Sequence, residues 1–213
     1  RDFKPSRCVI AFDGRGGNAK RRKIYKGYKA NRANKTKLRR FDNHETSIED
    51  EQESMRKQFS RLVSYLDNLP VTFLSMDGIE ADDTIAYITE MYEAKSKKIT
   101  IVSTDRDFYQ LINDKIQIWS PIKKKLYDTE KLLDEFQVHP KNYVLYRAFT
   151  GDKSDNIPGV MGIGPKTLLK HVPNLNNERE YELDNLWEIC NKNIGESKTY
   201  QKILDNENII SDN

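Results

Sequence analysis

The 213-residue chain carries 36 Lys and Arg against 33 Asp and Glu, for a formal net charge of +3. It contains 37% apolar residues, with eight Phe and eleven Tyr. That length holds one good-sized α/β domain, or a core with a small appendage, and the aromatic content excludes a disordered chain. No apolar stretch reaches membrane-spanning length, no secretory leader is visible, and two distant cysteines, Cys8 and Cys190, form neither a zinc pattern nor a disulfide framework. The expectation is a soluble, cytoplasmic protein with no membrane partner, in which Cys8 is a small core residue.

The apolar run 7–13 ends in Asp13 and then Gly14, and is read as a buried strand with a carboxylate at its tip. From Gly14 to Arg40 twelve basic residues occur without one acid, interleaved with Tyr25 and Tyr28. This stretch lacks the apolar periodicity of a core helix. Residues 49–67 form an amphipathic helix, with Met55, Phe59, Leu62, Val63 and Leu66 on one face. Residues 71–76 give a second strand, 81–94 a helix, 98–104 the strongest strand, 107–112 a short helix and 116–120 a further strand. Strand–helix alternation over the first 120 residues predicts an α/β fold with a mainly parallel central sheet flanked by helices. In such sheets sites form at the carboxyl ends of strands. From about Thr129 the chain is expected to be mostly helical, and the tail after Asn174 is uninformative.

Acids recur at these strand ends: Asp13, then Glu80, Asp82 and Asp83 at the start of a helix, then Asp105 and Asp107, and later Asp152 and Asp155. Each has a plain alternative explanation, since acids favour the first turn of a helix and Asp is a good N-cap. Four such groups at strand ends and loop starts need counter-charge, and hard divalent cations take oxygen ligands. The expectation is a site for Mg²⁺ or Mn²⁺. His44, His139 and His171 are scattered, and no Ser–His pair or phosphate-binding Walker loop is present. An acid-only site beside a basic strip points to phosphodiester hydrolysis by two cations.

The basic run has its own alternative, a solvated charged segment. Beside a carboxylate site it can instead hold phosphates and stack on bases. Arg21, Arg22 and Tyr28 are candidates for contact with nucleic acid, and Lys29 and Arg32, three apart, for the scissile phosphate. Farther on, Gly162-Ile163-Gly164 precedes Pro165-Lys166-Thr167. The glycines leave backbone N–H groups open and Pro suits a first helical position, so the segment can bind phosphate without reading sequence. Gly162, Gly164, Lys166 and Thr167, with nearby Lys153, are the candidate contacts.

Phe12-Asp13-Gly14, Tyr28-Lys29-Ala30-Asn31-Arg32, Glu80-Ala81-Asp82-Asp83, Ser103-Thr104-Asp105-Arg106-Asp107 and Gly151 to Thr167 stand in the order found in the 5′ nuclease, or flap endonuclease, family. The chain resembles the bacteriophage enzymes and the 5′-nuclease domain of bacterial DNA polymerase I over roughly residues 8–172. The resemblance implies a PIN-like nuclease core over 1–128, including a basic helical arch at about 15–53. It implies a mostly helical region over 129–213, with a helix–three-turn–helix module at about 143–172. It further implies that Asp13, Glu80, Asp82 and Asp105 belong to the tighter metal site, and Asp83, Asp107, Asp152 and Asp155 to the second. Lys29 and Arg32 would steer the scissile phosphate at the base of the arch. The implied cofactors are two Mg²⁺ or Mn²⁺, with a K⁺ in the helix–three-turn–helix turn. The implied substrate is branched or 5′-flap DNA, including RNA–DNA primer junctions, cut by a monomer. Members of the family begin with a strand bearing one more metal-ligand Asp. That strand is not in this sequence, which starts at Arg1, so the expectation is a natural N-terminus upstream. Two other readings stand beside the nuclease: a branched-DNA-binding protein that kept the fold without turnover, and a small ribonuclease of the PIN type.

Overall fold

The computed structural model describes residues 3–32, 48–95 and 97–212. Residues 33–47 of the expected arch lie outside the described residues, as does the side chain of Arg32. The first strand, β1 (Val9–Phe12), pairs in parallel with β2 (Thr72–Ser75), Val9 opposite Thr72 and Phe12 opposite Ser75. Helix α1 (Ala19–Ile24) lies in the basic run and buries none of its residues, as the missing periodicity implied. Helix α2 (Ile48–Leu66) precedes β2, and α3 (Ala81–Glu93) follows it.

One expectation here is corrected, and the α2 helix is found as expected. Cys8 is exposed, not a core residue. It sits just before β1, where its carbonyl accepts a bond from Thr72 N (2.9 Å). The apolar face of α2 is buried only at its end: Leu66 is 7% exposed, whereas Met55, Phe59 and Leu62 are 59%, 51% and 43% exposed. A two-stranded ribbon covers little of a 19-residue helix, although Phe59 meets Phe12 edge-on at 5.2 Å.

Strand β3 (Ile99–Val102) pairs in parallel with β4 (Ile116–Ser120), and β4 pairs antiparallel with β5 (Lys125–Tyr127). Ile101 and Ile118 face the core, and Tyr127 is fully buried. Tyr109, from the 3₁₀ helix Arg106–Leu111, is ringed by Tyr127, Phe136 and Tyr143 at centroid distances of 4.8, 5.6 and 5.5 Å. The rest is helical: α4 (Thr129–Phe136), α5 (Tyr143–Thr150), α6 (Pro165–His171), α7 (Leu183–Lys192), α8 (Lys198–Leu204) and α9 (Glu207–Asp212). The tail is structured, with Leu186, Cys190, Ile203 and Ile210 buried. The fold is α/β with parallel strand pairs and helical cover. The described residues divide into two compact units, one within Arg1–Ile24 and Asn34–Ile85, the other within Tyr25–Ala33 and Ala86–Asn213.

Candidate active site

In the first unit, the loop after β1 carries Asp13 against the segment 76–80. Gly14 makes the approach feasible: its N–H donates to Ile79 O (2.9 Å), and a Cβ there would fall 1.7 Å from Met76 O. Gly17 is similarly close, its Cβ position 2.8 Å from Ile79 O. Asp13 can thus accept a bond from Ala81 N (2.8 Å) at the start of α3, where free N–H groups favour a carboxylate. A small open cleft of about 170 Å³ is lined by Asp13, Gly14, Gly16, Gly17, Asn18 and Glu80.

The other acids of this unit gather around Arg21. Its guanidinium binds the buried Glu80 and pairs with Asp83 at 2.8 Å and Asp82 at 3.7 Å. Burial works against the Arg21 charge, but Asp83, Asp82 and Glu80 more than offset it and push its pKa further up. Burial also pushes the Asp82 carboxyl up, against the pull of Arg21. Arg21, expected as a DNA contact, lies within the acid group. Arg22 is exposed.

In the second unit, Asp105 caps the 3₁₀ helix by accepting from Asp107 N (3.0 Å), which is the plain capping role. Asp107, Asp152 and Asp155 each offer a carboxylate oxygen, and these oxygens all lie within 4.8 Å of one another. The i, i+3 spacing of Asp152 and Asp155 would suit a helix start, but the chain turns there instead. Asp152 and Ile157 form an antiparallel bridge, and Asp152 Oδ1 accepts from both the amide and the hydroxyl of Ser154, each at 2.7 Å. Asn156 turns the chain at φ +62°. The turn, not a helix, brings the two aspartates together.

Burial raises the Asp107 carboxyl, Arg147 lowers it, and Asp105, Asp152 and Asp155 raise it again, leaving it above the usual range. Burial would also raise Asp152, but Ser154 and Arg147 prevail and hold it low. A half-buried trio of hard oxygen donors that repel one another suits a divalent cation. Lys29 stands at φ +54°, with its N–H on Asp155 O (2.8 Å) and its Nζ 4.0 Å from Asp155 Oδ2. Tyr28 is 5% exposed, so its ring is part of the core and not the open stacking face expected. Lys153 is exposed, and its carbonyl accepts from Asn31 Nδ2 (2.9 Å).

The glycine turn matches expectation in form. Gly162 stands at φ +74°, Gly164 is the N-cap of α6 and Pro165 its first residue. Lys166 is exposed and Thr167 half-buried. Sequence reasoning missed Arg147, whose signal was a lone cation in the otherwise apolar α5. It also missed Lys202, whose Nζ lies 2.7 Å from where a Cβ on Gly162 would be. Helix α8 brings Lys202 there because His171 of α6 bonds Ser197 Oγ (3.0 Å) and Tyr200 stacks edge-on against its ring.

An α/β fold that carries acids at strand ends, a basic segment and a glycine turn has counterparts among known proteins. Residues 1–137 match the model of the 5′-3′ exonuclease, N-terminal resolvase-like domain, and the chain belongs to that family. It is 31% identical over 166 residues to a 5′-3′ exonuclease of Aquifex aeolicus, covering 78% of this chain and 52% of that one. It is 33% identical over 180 residues to one of Buchnera aphidicola, covering 83% and 57%. It is also 32% identical over 206 residues to DNA polymerase I of Deinococcus radiodurans, covering 96% of this chain and 19% of the polymerase. The chain thus spans little more than half the length of these exonucleases. Among solved structures, the T5 D15 protein co-crystallized with metal ions aligns with a TM-score of 0.74 at 22% identity, over 97% of this chain and 73% of that one. The catalytic core of Rad2 in complex with DNA substrate aligns at 0.52 and 19% identity, over 93% and 59%. These two likenesses concern the fold.

Proposed function

We propose that the protein is a structure-specific 5′ nuclease that hydrolyses phosphodiesters of 5′-flap or branched DNA and degrades DNA 5′ to 3′. The observation that carries this reading is the convergence of Asp107, Asp152 and Asp155, with Lys29 beside Asp155. Its family membership and its relatives named as exonucleases and DNA polymerase I support it, and support a place in replication or repair such as primer removal.

Asp13, Glu80, Asp82 and Asp105 are assigned to one Mg²⁺ or Mn²⁺, and Asp83, Asp107, Asp152 and Asp155 to a second. Bound there, such cations orient and activate water and stabilise the departing oxygen. Lys29 and Arg32 hold the scissile phosphate by charge. Arg22, Lys153, Gly162, Gly164, Lys166 and Thr167 grip the phosphate backbone, Gly162 and Gly164 through the turn before α6, where a K⁺ ion is also assigned, and Lys166 and Thr167 from the first turn of α6. The region 129–213, with its module at about 143–172, serves duplex binding and adds Asp152 and Asp155 to the acids supplied by the nuclease core over 1–128. The protein is assigned to the cytoplasm as a monomer that also accepts RNA–DNA primer junctions. Among the described residues, no helix is long and apolar enough to cross a membrane.

The test is cleavage of a labelled 5′-flap duplex with Mg²⁺, Mn²⁺ or EDTA. Cutting at the junction that EDTA abolishes, and that Asp152→Asn with Asp155→Asn reduces by about 10²-fold or more, supports the nuclease. A second reading, a branched-DNA-binding protein without turnover, is favoured by the arginines already paired with both acid groups. It predicts salt-dependent binding and no cutting with any metal.

A further inference from the structure

We propose that Arg147 is a positioning residue, a resident counter-cation that holds Asp107 and Asp152 together against the same mutual repulsion that a divalent cation received by the trio would relieve. The inference rests on the metal-dependent reading above. Arg147 lies in the last turn of α5, whose neighbouring residues Tyr143, Leu145, Tyr146, Ala148 and Phe149 are buried, so the helix axis is fixed by the core. From that anchored helix the guanidinium reaches three acceptors. Its Nε donates to Asp107 Oδ1 (3.1 Å), and one terminal nitrogen is shared between Asp107 Oδ1 (3.0 Å) and Asp152 Oδ2. The other terminal nitrogen donates to Gly151 O (3.0 Å).

These contacts tie together pieces of chain that are far apart in sequence. Asp107 follows β3, and Asp152 opens the turn after α5. Gly151, at φ +66°, is the hinge between helix and turn, and a Cβ on it would sit 2.3 Å from Gly159 N. The planar fork matches the arrangement: its donors are fixed relative to one another, so binding Gly151 O and Asp152 sets the angle at which Asp107 is met. A lysine has one charged nitrogen and cannot span all three acceptors at once. Arg147 is 23% exposed at its side chain, so its charge is only partly screened by water. Without it, Asp107 and Asp152 face each other with Asp155 beside them, and like charges at such spacing separate.

Arg147 and a divalent cation therefore oppose the same repulsion, and each should compensate for loss of the other. A residue that merely packs would not behave this way, because its removal would cost the same with or without metal. The experiment is thermal denaturation of the full chain and of Arg147→Gln, Arg147→Ala and Arg147→Lys, each in EDTA and in saturating Mn²⁺. Gln is shorter and uncharged but keeps the stem and an amide donor near the Nε position, so it perturbs packing less than Ala does.

In EDTA, Arg147→Gln should lower the midpoint by about 5 °C. In Mn²⁺ the deficit should shrink to roughly half or less, since the variant, whose aspartates have lost their resident counter-charge, gains more from the bound cation than wild type does. Arg147→Lys, which keeps the charge, should show a smaller deficit in EDTA than Gln does. A Gln deficit equal in EDTA and Mn²⁺, or larger in Mn²⁺, overturns the proposal. If wild type itself gains nothing from Mn²⁺, the metal-dependent reading falls and Arg147 with it. A wild-type gain with an unchanged Gln deficit sinks only the role of Arg147.

Discussion

Gly14→Ala tests whether the close approach of two backbone segments is what delivers Asp13. The added methyl would stand 1.7 Å from Met76 O and 2.3 Å from Met76 C, both backbone atoms that no rotamer change can move. Overpacking of this kind costs about 1–3 kcal/mol. Parting the segments also breaks the Gly14 N–Ile79 O bond (2.9 Å), worth about 0.5–1.5 kcal/mol. Together about 2–4 kcal/mol is lost, which in a chain of this size lowers the melting midpoint by roughly 5–15 °C. Two controls separate sterics from backbone conformation. Gly16 stands at φ +70° with nothing within 4 Å of its Cβ position, so Gly16→Ala meets only the left-handed penalty of about 1 kcal/mol. Gly195 has neither constraint, so Gly195→Ala should be close to wild type. Calorimetry or circular dichroism would rank the three. The Asp13 carboxylate should move with its loop, so flap cleavage should fall further in Gly14→Ala than in Gly16→Ala. If Gly14→Ala melts within 2 °C of wild type, or no lower than Gly16→Ala, the close approach does not constrain the loop and the reasoning fails.

Burial, helped by the Lys141 charge and opposed by Glu178, holds the His139 imidazole below its ordinary value of 6.5, and its Nδ1 accepts from Lys141 N (3.3 Å). A depressed histidine contributes stability that is complete above 6.5 and lost as pH falls through the folded-state value. Urea midpoints at pH 7.5 and 5.5 should therefore show wild type exceeding His139→Ala by less at the lower pH, and a gap that widens instead would refute the assignment. Gly162→Ala must adopt φ +74° and place its methyl against the mobile end of Lys202. The expected cost is about 1 kcal/mol of stability. Affinity for a flap duplex, read by fluorescence anisotropy in EDTA, should weaken several-fold, and unaltered affinity would remove the glycine turn from the DNA contacts.

The elements that could be read from sequence were those whose own residues state their surroundings. Strand β3 reads plainly because Ile99, Ile101 and Val102 form an apolar run, and α3 because its apolar residues repeat at helical spacing. Strand β5 was invisible: Lys125-Leu126-Tyr127 follows three exposed residues, Ile122 to Lys124, and only the ladder to β4 identifies it as strand. The α2 face read correctly as apolar but not as exposed, since periodicity tells which residues share a face and not whether a partner covers it. The acids behaved similarly. Their types and order were evident, but the Asp152–Ile157 bridge depends on a left-handed Asn156. Arg147 reaches Asp107 across 40 positions, a pairing that no local pattern encodes.

Lys29 shows how a site residue can oppose its own backbone. Lysine rarely takes φ +54°, and holding a non-glycine residue there costs of the order of 1 kcal/mol. What holds it is its N–H on Asp155 O (2.8 Å), with its Nζ over the Tyr28 ring at 4.7 Å and beside Asp155 Oδ2 at 4.0 Å. Glycine at this position would relieve the strain but remove the amine, and alanine would remove the amine and keep the strain. Lys29→Gly should thus be more stable than Lys29→Ala by up to about 1 kcal/mol, yet both should lose flap cleavage alike, by about 10²-fold. Paired melting and single-turnover cleavage would decide it. If Lys29→Gly kept substantial cleavage, the ammonium would not be the working part. If alanine matched glycine in stability, position 29 would carry no strain, and its left-handed turn would have to be set by the Asp155 contact alone.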